Sequence, residues 1–168
     1  MKKEVSHRIL VVDDEDYMRD ILSRWLSAEG YACSTAGEAD QALALCEQEP
    51  FALLVSDINM PGRSGIELLT EARRRFQDLA VIMATAVDDR RTAIHTLELG
   101  AYGYVIKPFE RNEILINVAN ALRLRELEIE NRQYREGLEQ MVLMRTQELR
   151  NAINQLTRTK RDLQLSRE

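Results

Sequence analysis

Proline, glycine, cysteine and aromatic residues are all scarce in this chain of 168 residues. It has three prolines, seven glycines and two cysteines, and aromatic side chains make up only 5%. The cysteines, Cys33 and Cys46, stand in unrelated contexts, which argues against a disulfide framework and against a zinc site. We interpret both as small buried side chains in a reducing compartment.

Long hydrophobic runs are also missing. No apolar stretch approaches the roughly 20 residues that a membrane-spanning helix needs. The first apolar run, residues 9–12, is too short for a signal peptide. We therefore expect a soluble, cytoplasmic protein with no membrane partner. The net charge of −5 argues against a dedicated nucleic-acid binder, which would usually be basic.

The apolar fraction of 45% is that of a folded globular protein, but the charge is unevenly distributed. Residues 1–122 carry 13 basic and 20 acidic groups, a net charge of −7. Residues 123–168 carry 10 basic and 8 acidic groups, a net charge of +2. We therefore predict an acidic folded domain over residues 1–122, followed by a mixed-charge helical extension over residues 123–168.

Short apolar runs alternate with helical patterns along the first part of the chain. The runs are continuous rather than alternating, which is typical of strands buried on both faces of a parallel sheet. This order predicts an α/β fold, doubly wound, with a five-stranded parallel sheet in (βα)5 order. The clear runs are residues 9–12, 51–55, 80–84 and 102–106, and a weaker run covers residues 31–35.

The fifth helical pattern starts near Arg111 and is too long for a compact domain. From residue 113 onward there is no proline, and Gly137 is the only glycine. Spacings of three and four residues alternate, with one extra step of four between Leu138 and Val142, and predict a coiled-coil dimer. The alternative is a solvated single helix, which would be marginal in isolation. The pattern comprises Leu124, Leu127, Asn131, Tyr134, Leu138, Val142, Arg145, Leu149, Ala152, Leu156, Thr159 and Leu163.

Three carboxylates follow predicted strands. Asp13 and Asp14 come directly after the first strand, and Asp57 follows the third. If these strands are neighbours, the carboxylates converge at one edge of the sheet, where they repel and need a cation such as Mg²⁺. The alternative is that each aspartate caps a helix, which would explain Asp13 or Asp14 but explains Asp57 poorly.

Two more polar side chains stand at the ends of the remaining strands. Thr85 ends the fourth run and Lys107 ends the fifth. The lysine could be a structural counter-ion only. With Mg²⁺ and a hydroxyl it also makes a phosphate-binding site, in which a carboxylate can act as a nucleophile.

The segments around these strand-end residues resemble the receiver domain of two-component response regulators, and the resemblance covers about residues 6–122. The resemblance implies a flavodoxin-like fold and a phosphoryl group received from a sensor histidine kinase. Asp57 would be the phospho-acceptor. Asp14 would bind Mg²⁺, with Asp13 supporting it directly or through water, and the backbone carbonyl of Asn59 would be a further ligand. The matching segments are residues 11–15, 57–62, 85–86 and 103–109.

The same resemblance gives roles to the other strand-end residues. Lys107 would contact the phosphoryl group, Thr85 would turn its hydroxyl toward it, and Tyr104 would turn inward behind Thr85. The Lys107–Pro108 peptide bond is expected to be cis. Val87 is apolar and cannot orient an attacking water, so we predict slow self-hydrolysis of the phosphoryl group.

The output of the protein is less defined. No helix-turn-helix or winged-helix pattern follows the receiver, so we expect no DNA binding. Residues 130–142, with residues 145–149 after them, are similar to linkers that commonly precede HD-GYP cyclic-di-GMP phosphodiesterase domains. Similar linkers also precede histidine-kinase and other output domains. No motif of either enzyme occurs here, so we expect no enzymatic activity beyond Mg²⁺-dependent self-phosphorylation and self-dephosphorylation.

Three interpretations of the whole chain follow. In the first, a phosphorylation-dependent switch signals through contacts of a homodimer. In the second, the chain is the regulatory part of a larger enzyme, most plausibly a cyclic-di-GMP phosphodiesterase. The chain ends within the helical pattern, and we expect a fragment whose effector domain is absent; the alternative is a short natural regulator. The third, a scaffold that only assembles through its helix, leaves the acidic residues unexplained.

Overall fold

The computed structural model describes residues 7–86 and 89–167. Within these residues five strands alternate with five helices, as the order of apolar runs predicted. The elements are β1 Arg8–Val12, α1 Asp16–Ala28, β2 Ala32–Ala36, α2 Ala39–Gln48, β3 Leu53–Asp57, α3 Gly65–Arg75, β4 Ala80–Ala86, α4 Arg90–Glu98, β5 Gly103–Lys107 and α5 Arg111–Leu165.

The five strands form one parallel sheet in the order β2-β1-β3-β4-β5. This arrangement confirms the predicted doubly wound α/β fold. Strand β1 lies between β2 and β3 and pairs with both, and Val12 lies opposite Ser56. The carboxyl ends of β1 and β3 are therefore neighbours, which brings the residues after Val12 close to Asp57.

The core lies in two layers, one on each face of the sheet. Side chains alternate along β1, so that Leu10 and Val12 face one layer while Ile9 and Val11 face the other. Helices α2 and α3 cover the first layer, and α1 and the beginning of α5 cover the second. The interior strands β1, β3 and β4 are buried on both faces, which is the reason that their sequences are mainly apolar, whereas the edge strands β2 and β5 are less buried.

Helix α5 spans Arg111–Leu165, in agreement with the long final pattern. The chain comprises two compact units, Met1–Glu126 and Leu127–Glu168, and the predicted boundary at residues 122 and 123 falls within α5. In the first unit Ile114 and Val118 of α5 are buried in the core. Among the described residues, no helix combines the length and the apolarity that crossing a bilayer requires.

Candidate functional site

Three carboxylates meet at the carboxyl ends of β1 and β3. One oxygen from each of Asp13, Asp14 and Asp57 lies within 4.8 Å of the others. Asp13 and Asp57 are buried, with 2% and 8% of their surface exposed, whereas Asp14 is exposed. Three carboxylates this close repel one another, so the cluster is suited to a cation, and carboxylate oxygens are ligands that Mg²⁺ prefers.

Lys107, the last residue of β5, reaches two of these carboxylates. Its Nζ lies 3.0 Å from Asp13 Oδ2 and 3.1 Å from Asp57 Oδ2. Burial by itself lowers the pKa of Lys107, but the hydrogen bonds and charges of Asp13 and Asp57 outweigh it and raise that pKa overall. The ammonium group therefore stays charged at the centre of the acidic cluster.

The positive charge of Lys107 does not fully compensate the burial and mutual repulsion of the carboxylates in the cluster. Burial raises the pKa of Asp57, and the charge and hydrogen bond of Lys107 offset only part of this effect. The charge of Asp13 adds to the rise. Burial is the largest of these effects, so the Asp57 anion is disfavoured mainly because it is removed from water, and a bound cation would favour it.

The backbone after β3 fixes the Asp57 side chain. The Asn59 backbone N–H donates to Asp57 Oδ1 at 3.3 Å, and the Ser56 hydroxyl donates to the Asp57 carbonyl oxygen at 2.9 Å. Asn59 itself is exposed beside the cluster. The Asn59 contact orients one carboxylate oxygen toward the loop and leaves the other to Lys107.

Gly65, which the sequence analysis did not single out, sets the position of this loop. A Cβ at Gly65 would lie 2.0 Å from the Asp57 carbonyl oxygen and 2.8 Å from Ile58 Cα, so only glycine fits. The preceding residue, Ser64, caps α3 and exchanges hydrogen bonds with Glu67 in a capping box. Ser64 and Glu67 have the S-x-x-E spacing of a capping box, so this pattern in the sequence could have predicted the start of α3.

The helix-cap alternative does not fit Asp13 and Asp14. The N-cap position of α1 is Glu15, and α1 begins at Asp16. Asp13 Oδ1 accepts a hydrogen bond from the Glu15 backbone N–H at 2.9 Å, which orients its other oxygen toward Lys107. Arg19 also donates to the Asp13 carbonyl oxygen and contacts Asp16, which further fixes this turn.

Of the other residues singled out in the sequence, Thr85 lies at the carboxyl end of β4, whereas Tyr104 lies earlier on β5, opposite Met83. Thr85 is fully buried, and its hydroxyl has no hydrogen-bond partner among the described residues. Tyr104 on β5 is partly buried and packs against the core layer of α2 and α3. The Lys107–Pro108 peptide bond is cis, as expected. Val87, on which the prediction of slow hydrolysis rests, lies outside the described residues.

A comparison with protein families identifies this arrangement. Residues 9–119 match the family model of the response regulator receiver domain. The chain belongs to the response regulator receiver family, and it is a two-component response regulator module. The family assignment from the strand-end residues is therefore confirmed.

Curated relatives agree with this assignment. The C4-dicarboxylate transport transcriptional regulatory protein DctD of Pseudomonas aeruginosa is 36% identical over 132 residues, which is 78% of this chain and 28% of the relative. The regulatory protein AtoC of Escherichia coli is 36% identical over 132 residues, which is 79% of this chain and 29% of the relative. The chain thus spans less than a third of the length of these two regulators.

Solved structures share the fold. A response regulator receiver domain protein from Clostridium thermocellum has a TM-score of 0.69 and 28% identity, over 72% of this chain and 98% of that protein. NtrX from Brucella abortus, solved in complex with ADP, has a TM-score of 0.72 and 34% identity, over 75% of this chain and 29% of NtrX. None of these relatives favours the alternative of a cyclic-di-GMP phosphodiesterase fragment.

Proposed function

We propose that Asp57 accepts a phosphoryl group from a sensor histidine kinase, and that this chain uses the modification as a switch. The observation that carries the proposal is the contact of Lys107 Nζ with both Asp13 and Asp57 within a cluster of three carboxylates. A cation held beside a buried carboxylate provides the charge needed to bind a phosphoryl group.

The proposed reaction is a phosphoryl transfer. An oxygen of Asp57 forms a bond to phosphorus, the bond between phosphorus and the donor nitrogen of the kinase histidine breaks, and the electron pair leaves with that nitrogen. The product is an aspartyl phosphate. Asp57 is suited to this role because Asn59 and Lys107 hold its two oxygens at 3.3 and 3.1 Å.

Mg²⁺ is the cation that fits the donor set. Asp13, Asp14 and Asp57 supply hard oxygen ligands that lie within 4.8 Å of one another, and we assign a fourth ligand to the backbone carbonyl of Asn59. When bound, Mg²⁺ offsets the negative charge of the phosphoryl oxygens. Asp13 is held by Lys107 and the Glu15 N–H, so Asp14 is the carboxylate free to adjust to the ion.

Thr85 and Tyr104 form the proposed response element. A buried hydroxyl without a partner among the described residues is unfavourable, and a phosphoryl oxygen nearby would give it one. Thr85 would then turn toward Asp57, and the partly buried Tyr104 ring would follow into the space it leaves. The result is a change at the surface of α4, β5 and α5, where an output partner can detect it.

The test is phosphorylation by acetyl phosphate in the presence of Mg²⁺, with the added phosphoryl group measured by mass spectrometry. We expect one phosphoryl group per chain, none without Mg²⁺, and none in Asp57→Asn. Asp20→Asn is the matched control, because Asp20 is an exposed carboxylate of α1 outside the cluster, and it should label like the parent protein. Equal labelling of Asp57→Asn and the parent would overturn the proposal.

We further propose that the output acts through a homodimer formed by α5. Apart from the half-buried Ile129, the apolar side chains of α5 beyond residue 123 are exposed, Leu138 to 44% and Leu156 to 69%. Scattering mass measured with Mg²⁺, with and without beryllofluoride, tests this. A dimer under both conditions indicates that the signal is a change in helix rotation or register, and a dimer only with beryllofluoride indicates control of assembly. A monomer under both conditions contradicts the dimer.

A further inference from the structure

An apolar stripe runs along the outer part of α5. Leu127, Leu138 and Val142 are exposed to 52%, 44% and 63%. Members up to Val142 are three or four residues apart, and those beyond it follow at steps of seven residues, so they lie on one face of the helix. The α5 stripe is defined here as Leu124, Leu127, Asn131, Tyr134, Leu138, Val142, Leu149, Leu156 and Leu163.

We propose that the α5 stripe is covered by the same stripe of a second copy, with the two helices parallel and in register. This proposal rests on the α5 homodimer proposed above and adds its orientation and the residues that determine it. Two features of the sequence favour a parallel pair: a single amide within the stripe and the charges that flank it.

Asn131 is the only amide in the stripe. In heptad terms Leu124, Asn131 and Leu138 are at position a, and Leu127 and Tyr134 are at position d. In a parallel, in-register pair, identical residues face each other, so the Asn131 amide would pair with Asn131 of the second copy. In an antiparallel pair it would face the part of the stripe beyond residue 141, which has no amide. A single asparagine at position a is known to specify register and a two-stranded state.

The flanking charges are complementary in the same arrangement. Parallel helices bring position g of one copy beside position e of the other, five residues further along. Arg123 would lie beside Glu128, and Glu130 beside Arg135. Arg123, Glu130 and Arg135 are exposed, so they can reach the second copy. The two-fold symmetry doubles each pair, giving four contacts between opposite charges.

The distal part of the stripe continues the same surface. Leu149, Leu156 and Leu163 repeat every seven residues, and each is at least 59% exposed. An in-register pair also aligns the extra step of four residues between Leu138 and Val142 in both helices. The local unwinding that such a step causes then occurs at the same level in each copy.

Disulfide cross-linking tests the orientation. In a background of Cys33→Ser and Cys46→Ala, Leu127→Cys and Leu163→Cys are made separately, with Gln133→Cys, on the opposite face of α5, as control. In a parallel, in-register pair, the first two variants each cross-link alone on mild oxidation and the control does not. In an antiparallel pair, identical residues at these sites stand about 54 Å apart. Cross-links would then form only when Leu127→Cys and Leu163→Cys are mixed, which would overturn the proposal.

Charge reversal tests the register without disulfides. We expect Glu130→Lys to raise the dimer dissociation constant about tenfold, because two attractive pairs become repulsive. Adding Arg135→Glu restores opposite charges and should return the constant to the parent value. Glu136→Lys makes the same charge change outside the interface and should leave it unaltered. A double variant no better than Glu130→Lys contradicts the pairing.

Failure of this proposal is distinguishable from failure of the proposed phosphorylation. Labelling of Asp57 by acetyl phosphate is measured on the same variants and is expected to equal that of the parent. A monomeric parent protein that still labels would overturn the stripe proposal alone. Loss of labelling in an intact, cross-linked dimer would overturn phosphorylation alone.

Discussion

Gly65 lies directly against the backbone of Asp57, so that a Cβ at position 65 would be 2.0 Å from the Asp57 carbonyl oxygen. Gly65, the first residue of α3, therefore determines the position of the backbone that carries the proposed phospho-acceptor, Asp57. This contact joins two segments that the sequence shows as a strand end and a helix start, separated by a loop of seven residues, 58–64.

Gly65→Ala should destabilise the protein and displace Asp57. Added atoms in a close-packed site typically cost about 1–3 kcal/mol, and here the neighbour is backbone, which cannot move away cheaply. Urea unfolding followed by Trp25 fluorescence measures the loss, and acetyl phosphate labelling should slow in the same variant.

Gly137→Ala is the matched control, since nothing lies within 4 Å of a Cβ at that helical position. It should leave Asp57 labelling and the urea midpoint reported by Trp25 unchanged. If Gly65→Ala also leaves Asp57 labelling and the urea midpoint unchanged, the contact of Gly65 with the Asp57 backbone does not determine the position of Asp57.

Asp14→Asn should weaken Mg²⁺ binding with little effect on folding. Asp14 is exposed. Among the described residues, Lys107 contacts the other two carboxylates of the cluster, Asp13 and Asp57, and not Asp14. Loss of one anionic ligand is expected to lower affinity at least about tenfold. Calorimetric titration with Mg²⁺ measures this, with Asp20→Asn as the control. Equal affinities for both variants would rule out Asp14 as a ligand.

Lys107→Met should destabilise the protein in the absence of Mg²⁺ and make it more dependent on the ion. The variant leaves Asp13 and Asp57 buried without a positive charge, at a cost of about 1–3 kcal/mol. Mg²⁺ should recover much of this loss, because a cation replaces the missing charge. Urea midpoints with and without Mg²⁺ test the prediction, and a loss that Mg²⁺ does not reduce would contradict it.

Thr85→Val should separate the structural role of this residue from its proposed role in the switch. Among the described residues the Thr85 hydroxyl has no partner, so its removal should cost less than about 1 kcal/mol or stabilise the protein. The same variant should lose the change that beryllofluoride induces around Tyr104, measured by NMR. Thr85→Ser keeps the hydroxyl and should retain the response. A normal response of Thr85→Val would exclude the hydroxyl from the switch.

Cys46 should react with thiol reagents only at high pH. Burial raises the pKa of Cys46 to about 11, so at pH 8 only about one thiol in a thousand is ionised. In Cys33→Ser, alkylation by iodoacetamide should accelerate about tenfold per pH unit between pH 8 and 10. Alkylation in urea, where burial is lost, should be fast already at pH 8.5. A native rate that is flat over this pH range would contradict the raised pKa.

The sequence alone located most of the fold and the chemical groups of the site. Continuous apolar runs require burial on both faces, which few arrangements other than a parallel sheet between helices provide. Asp13, Asp14, Asp57 and Lys107 each follow or end such a run, so parallel order directs them to one edge. The sequence also predicts the long helix, because residues 113–168 have no proline and only one glycine.

Only the tertiary structure decided which groups touch. That Lys107 bonds to Asp13 as well as Asp57 depends on β5 lying beyond β4 in the sheet, an order that local sequence does not encode. The need for glycine at position 65 arises from a backbone on another element, and the burial of the Thr85 hydroxyl without a partner among the described residues arises from packing around β4. Periodicity and residue chemistry are local properties of a chain, whereas contacts between distant segments are set by packing the whole domain.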